Sequence, residues 1–232
     1  AEEVRQQFIA LHEYAERVGY KGYEFDDFLG SRLCRALSFG NLFLRRVFVQ
    51  IGKHLPVNIR PLIGIKRLPS AKAHGFFARG YLDAYRATES SKWLARACAL
   101  LDWLLENPSS GCSGLAWGNA FDFASRGGFF PKGLPTVVWT SHISRAFLGG
   151  YEVTGRPEYL QAVLSCAQFV LNDLDRHEDS HGLCLAYAPG RLNLVHNSNL
   201  LGAVALLRAW CIDQDKSKYH VAEQALRWSL HH

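Results

Sequence analysis

The sequence predicts an all-α fold built of helical hairpins, and three observations carry that prediction. The segment from Tyr85 to Asn107 reads alongside the segment from Tyr151 to Asp173 at an offset of 66 residues without a gap, and a weaker third copy runs from Trp210 through Tyr219 to Trp228. Each copy places apolar residues at helical spacing on both sides of a short polar turn. The stretches between copies do not repeat and are longer than ordinary connectors. Self-similarity of this kind marks an array of like units that share one core.

The elements follow in order. From Glu2 to Val18, Val4, Phe8, Leu11, Tyr14, Ala15 and Val18 fall at helical spacing, and Gly19 ends that helix. Tyr20 to Gly30 is a polar-aromatic loop. Ser31 caps a second helix that runs to about His54, and Pro56 and Pro61 break it. Residues 55–72 form a connector. The first hairpin pairs Ala73–Ala87 with Lys92–Glu106, whose Trp93, Leu94, Ala97, Leu100, Leu101 and Leu104 share one face. The second pairs Val137–Val153 with Glu158–Leu174, and Pro157 falls in a first turn, where a missing N–H costs nothing. The third pairs Asn197–Ile212 with Lys218–His231. Short turns make the two helices of each pair antiparallel neighbours. The long stretches 107–136 and 174–196 then emerge at one end of the array, beside helix N-termini that carry free N–H groups. Their aromatic content (Trp117, Phe121, Phe123, Phe129, Phe130, Tyr187) predicts packed loops rather than disorder.

Bulk composition narrows the class. Apolar content of 48% with 20% charged residues suits a globular domain, and a net charge of +5 does not demand an acidic partner. Positive charge gathers at Arg45, Arg46, Lys53, His54, Arg60, Lys66 and Arg67. None of the six cysteines forms a C-x-x-C pair, so a reducing, cytoplasmic setting suits them better than a disulfide framework. No apolar run reaches the ~18 residues that span a bilayer. The chain starts at Ala1 without a single Met and ends inside a helical pattern, which reads as a partial product that continues past His232.

Three stretches hold the candidate chemistry. Gly114–Pro135 mixes rings with Asn119, Asp122, Arg126 and Lys132. Aromatic faces stack on sugar rings while amides and charges bond hydroxyls, the combination of apolar wall and placed polar group that ligand pockets use. Asp122 is the only carboxylate there. It either does acid/base work or pairs with Arg126 to order the loop. In Val137–His142, Thr140 or Ser141 caps a helix, and Trp139 and His142 lie near its start. In Ala186–Asn199, Tyr187 is followed by His196, Asn197 and Asn199 where a new inner helix begins, in the place of His74 and His142 in the earlier units. These polar groups either line a shared pocket or cap three helices independently. Glu24, Asp26 and Asp27 are further carboxylates in an aromatic loop, able to supply the second acid of a glycosidase pair. His177–His181 matches H-E-x-x-H, but Asp179, Ser180 and Gly182 argue against the helix that a zinc site of this type needs. No metal site is expected.

With those residues set out, the chain resembles known proteins. Paired helices at this period, with polar loops feeding the inner helices, resemble the six-hairpin (α/α) toroid of the glycosidase-like superfamily. The segments Trp117–Pro135, Phe147–Leu160 and Leu194–Ala203 are similar to an uncharacterised bacterial and archaeal family associated with surface-polysaccharide synthesis. The resemblance covers about residues 25 to 232. It implies a single hairpin domain forming an incomplete (α/α) toroid, with C-terminal hairpins absent. It also implies a carbohydrate-active protein, whether hydrolase, lyase or epimerase, that acts on or binds a polysaccharide or its precursor without a cofactor. Asp122 and His196 are then the catalytic candidates. Trp117, Asn119, Arg126, Lys132, Trp139, His142, Tyr187, Asn197 and Asn199 are the substrate-binding candidates. The alternative is a non-catalytic helical-repeat scaffold that binds a protein partner or, through Leu42–Ile65, a membrane surface. No nucleic-acid partner is expected.

Overall fold

A computed structural model describes residues 2–232. The chain forms two compact units, one of residues 2–73 with 119–132 and one of residues 74–118 with 133–232. The hairpin array expected of the whole chain is carried by the second unit.

The first unit opens with α1 (Glu2–Arg17), and Gly19 leaves it at φ 59°. A two-residue ribbon pairs β1 (Lys21–Gly22) with β2 (Leu68–Pro69). After a 3-10 turn at Asp27–Gly30 the expected single helix is in fact two, α2 (Arg32–Leu37) and α3 (Leu42–His54). Phe39 and Gly40 break it at φ 48° and 73°, and Asn41 restarts it by accepting the Phe43 and Leu44 N–H groups. Ser31 caps α2, as its type predicts, through the Cys34 N–H. The ribbon of β3 (Phe123–Ser125) and β4 (Gly128–Phe130) belongs to this unit. Leu29, Val49 and Ala124 form a buried cluster there with Phe48, Phe123 and Phe129, so α3 and the ribbon share one core.

The second unit is an array of three hairpins, joined by loops rather than sheets. They are α4 (Ala71–Thr88) with α5 (Ser91–Glu106), α6 (Val137–Thr154) with α7 (Pro157–Asn172), and α8 (His196–Asp213) with α9 (Lys216–His231). Every bound of the second hairpin lies 66 residues beyond its counterpart in the first, and every bound of the third a further 59. The turns repeat as well. Glu89, Gly155 and Gln214 each take a left-handed φ of 54°, 67° and 57°, and the residue after each is extended. The all-α, hairpin-built class follows directly from this order.

The inner helices α4, α6 and α8 stack in sequence, and small residues set their approach. A Cβ on Gly75 would come 2.9 Å from Ile143 of α6, and one on Gly202 would come 3.2 Å from Val137 of α6 and 2.6 Å from Leu185 of the loop beneath it. Gly150 likewise brings α6 against Leu101 and Tyr159. Ala167, Val170, Leu185, Leu206, Ala209 and Ala225 belong to the continuous apolar core between α7, α8 and α9. The loop 174–195 carries the ribbon of β5 (Arg176–Asp179) and β6 (Gly182–Leu185), and β6 is wholly buried. His177 therefore sits on a strand and His181 in the turn after it, so the two do not share a helical face. Among the described residues no helix is long and apolar enough to cross a membrane.

Candidate functional site

The site residues divide between the units. In the first, residues 119–132 leave the hairpin array at a neck where Gly118 pairs with Pro135. Asp122 stands at the foot of the β3–β4 ribbon. Its Oδ1 accepts the Lys132 backbone N–H at 2.8 Å and its Oδ2 accepts Arg35 Nη1 at 3.1 Å. The loop-ordering role foreseen for it thus exists, with Arg35 in place of Arg126. Arg126 is exposed at the tip of the ribbon, Lys132 is exposed beyond it, and Asn119 is half-buried at the neck. Arg45 stacks over Phe129 at 4.0 Å and pins the ribbon to α3.

Between α3 and the ribbon lies a cleft of about 690 Å³. Phe43 and Phe123 supply apolar wall, and Arg46, Gln50, Ser125 and Arg126 supply polar groups. Sequence reading singled out Arg126 and the ribbon rings but not Gln50. The signal was present in the spacing of Phe43, Arg46, Val47 and Gln50, one face of a helix.

The other acidic candidates are each held by a cation. Lys72 pairs with Glu24, Lys53 with Asp26 at 2.6 Å, and Arg60 with Asp27 at 2.7 Å. Burial raises the Asp27 carboxyl above its ordinary value, against the opposing pull of Arg60 and the Glu24 N–H. Asp27 is a structural lock, so the carboxylate loop does not offer it as a free acid.

In the second unit two predicted binding residues are part of the scaffold. Trp117 is 1% exposed, its Nε1 donates to the Leu104 carbonyl at 3.2 Å, and its ring packs on Phe147. It has no face left for a sugar. Asn199 is fully buried. Its Oδ1 accepts the Leu185 N–H at 2.9 Å, and its Nδ2 donates to Ala225 O at 2.9 Å and Ser229 Oγ at 3.0 Å. The amide ties β6 to α8 and α9.

The equivalence drawn between His74, His142 and His196 also shifts. They are the fourth, sixth and first residues of α4, α6 and α8. The fourth positions are His74, Thr140 and Asn199, all buried. His74 stacks on Trp103 at 3.9 Å, and Thr140 accepts the Trp117 N–H at 3.4 Å. Thr140 and Asn199 bind loop segments to helices, while His74 ties α4 to α5. The cap of α6 is Thr136, which accepts the Trp139 N–H, rather than Thr140 or Ser141.

The remaining candidates stay accessible. Trp139, His142 and Tyr187 are half-buried, and His196 and Asn197 are exposed. The His196 ring lies 5.1 Å from that of Trp228. His142 is held below its ordinary value, first by burial and then by Arg79, Arg208 and Arg145. Its ring lies 5.2 Å from that of Phe76, the residue at the same helical position in α4. Among the described residues no cluster of His, Cys, Asp and Glu has the arrangement to hold a metal ion.

A scan of protein-family models matches nothing in this chain, and neither does a search of curated proteins. Solved structures do resemble it. A family 76 glycoside hydrolase, a mannosidase from Bacteroides thetaiotaomicron, aligns at 16% identity and a TM-score of 0.47, covering 66% of this chain and 42% of the other. A family 76 α-mannanase from Bacteroides thetaiotaomicron aligns at 17% identity and 0.49, covering 69% and 44%. This chain thus spans under half the length of the structures it matches. The likeness is one of chain path.

Proposed function

We propose that this chain is a carbohydrate-active protein that binds, and through the same loops acts on, a polysaccharide or its precursor. The cleft between α3 and the β3–β4 ribbon carries the reading. It combines aromatic wall with guanidinium and amide donors, the lining that a hydroxyl-rich ligand bearing acid groups requires. Asp122, at the foot of the ribbon, is the carboxylate assigned to proton transfer, with Arg126 and Lys132 contacting ligand. In the second unit His196, Asn197, Trp139 and Tyr187 are assigned to ligand contact. The reading extends to surface-polysaccharide synthesis inside the cell, since six free cysteines suit a reducing compartment.

Calorimetric titration of neutral and acidic oligosaccharides tests this. Saturable heat is expected with acidic ones, weakened at least tenfold in Arg126→Ala. Asp122→Asn is expected to abolish turnover while leaving binding in place. If no oligosaccharide gives heat, or Arg126→Ala binds as wild type does, the reading fails.

One observation favours a second reading, a membrane-surface scaffold. Phe39, Phe43 and Leu62 are 82%, 67% and 87% exposed in the unit that also carries the basic cluster. Co-sedimentation with anionic vesicles, without glycan binding, would select it.

A further inference from the structure

The three inner helices repeat position by position, and one of their faces is charged in an unusual way. Alignment by first residues puts Arg79 of α4 level with Arg145 of α6, and Asp83 level with Gly149 and with Arg208 of α8. These positions are four residues apart and share one helical face. They line a cleft of about 240 Å³ in the second unit together with Arg86 and Glu152. At ~30 Å³ per water that is room for about eight waters.

Four guanidinium groups meet two carboxylates there, and one arginine takes both. Arg86 donates from Nη1 to Asp83 at 3.1 Å and from Nη2 to Glu152 at 2.9 Å. Arg79, Arg145 and Arg208 make no ion pair with a carboxylate among the described residues, although Asp83 acts on Arg79 at longer range. Arg208 donates from Nη1 to the carbonyl and the hydroxyl of Ser141, both neutral, at 2.9 and 3.4 Å. Its remaining donors have no acceptor among the described residues. Arg145 bears on both of the other two. Arg208 is pushed down to about 10, by burial first and then by Arg145 and Arg79. Arg79 is lowered by burial and then by Arg145, with Asp83 pulling more weakly the other way. Gly149 adds no side chain to the cleft, and a Cβ there would already lie 3.7 Å from Arg86 Nη2. Like charges gathered at a half-buried cleft oppose folding unless something between them is negative.

We propose that this cleft binds a phosphate-type oxyanion, free or as the phosphoryl group of a sugar phosphate, held by Arg79, Arg145 and Arg208. Guanidinium groups match tetrahedral oxyanions through paired N–H donors, and three of them around one anion turn mutual repulsion into attraction. The site lies in the second unit and does not depend on the glycan cleft of the first.

Inorganic phosphate, with sodium chloride of equal ionic strength as control, tests the proposal on the whole chain. Phosphate is expected to raise the melting temperature above the chloride value and to raise the His142 pKa, read by NMR, because an anion offsets the three cations. A hexose 1-phosphate acting at tenfold lower concentration than phosphate would assign a sugar phosphate, and equal potency would assign the free anion. Arg145 is exposed, so Arg145→Gln is expected to fold, to melt no lower than wild type without phosphate, and to weaken the phosphate response at least tenfold. Arg208→Lys is expected to weaken it similarly. A phosphate response no larger than chloride's, or one unchanged in Arg145→Gln, overturns the site.

Discussion

Replacing Asn199 by alanine separates a scaffold amide from a ligand-binding one. Four donor–acceptor contacts meet at this side chain, with Leu185 N, Leu183 O, Ala225 O and Ser229 Oγ. Leu185 and Ala225 are both fully buried, so water cannot take over. An orphaned buried N–H at Leu185 costs about 1–3 kcal/mol, and each lost neutral hydrogen bond about 1 kcal/mol. The Ala225 carbonyl also accepts within α9, which trims its share. The sum is about 3 kcal/mol, enough to be plain in a urea titration followed by circular dichroism. Asn199→Asp keeps the acceptor toward Leu185 but aims an oxygen at the Ala225 carbonyl, and is expected to cost at least as much. Glycan affinity of the folded fraction is expected to stay at the wild-type value in both. A loss under about 1 kcal/mol, or an affinity loss at unchanged stability, would return Asn199 to the ligand.

Removing Arg60 tests the Asp27 lock. Arg60→Ala leaves a buried carboxylate with only the Glu24 N–H to hold it and is expected to cost about 3 kcal/mol at neutral pH. Because burial already raises Asp27 and the loss of Arg60 raises it further, the folded variant holds its proton more tightly than the unfolded chain. Its stability is therefore expected to recover as pH falls, which urea midpoints at pH 7 and 5 would show. His142 runs the other way. Its folded value is lowered, so its contribution is complete above the unfolded value of about 6.5 and declines as pH drops below it. His142→Phe, which copies Phe76, should flatten that part of the stability profile. In the hairpin turns, Gln214→Gly should stabilise by about 0.5–1 kcal/mol and Gly155→Ala should destabilise by about 1 kcal/mol, since both positions are left-handed. Differential scanning calorimetry reads both.

The hairpins were legible because their signal is local. Apolar spacing and turn residues fixed all three pairs, and Pro157 and Gly155 marked one turn without ambiguity. The break at Phe39–Asn41 is hidden in the sequence because the apolar pattern of Leu37, Leu42 and Phe43 runs through it. The ribbons at Phe123–Phe130 and Arg176–Leu185 look like loops in sequence because strands of three or four residues are too short to show alternation. Trp117 and Asn199 read as ligand contacts in sequence because residue type cannot tell a buried polar anchor from a pocket wall. What decides is whether a Leu104 carbonyl or a Leu185 N–H is waiting for it. The arginine cleft was visible in principle. Arg79 and Arg145 share the 66-residue offset, but Arg208 joins them only through the stacking of α8 on α6.

The most direct test of the glycan reading is an NMR map of backbone amide shifts during titration with an acidic oligosaccharide. Perturbations are predicted along Phe43–Ile51 and Phe123–Gly127, saturating together with one dissociation constant. Shifts confined to other segments, or none up to millimolar ligand, would contradict it.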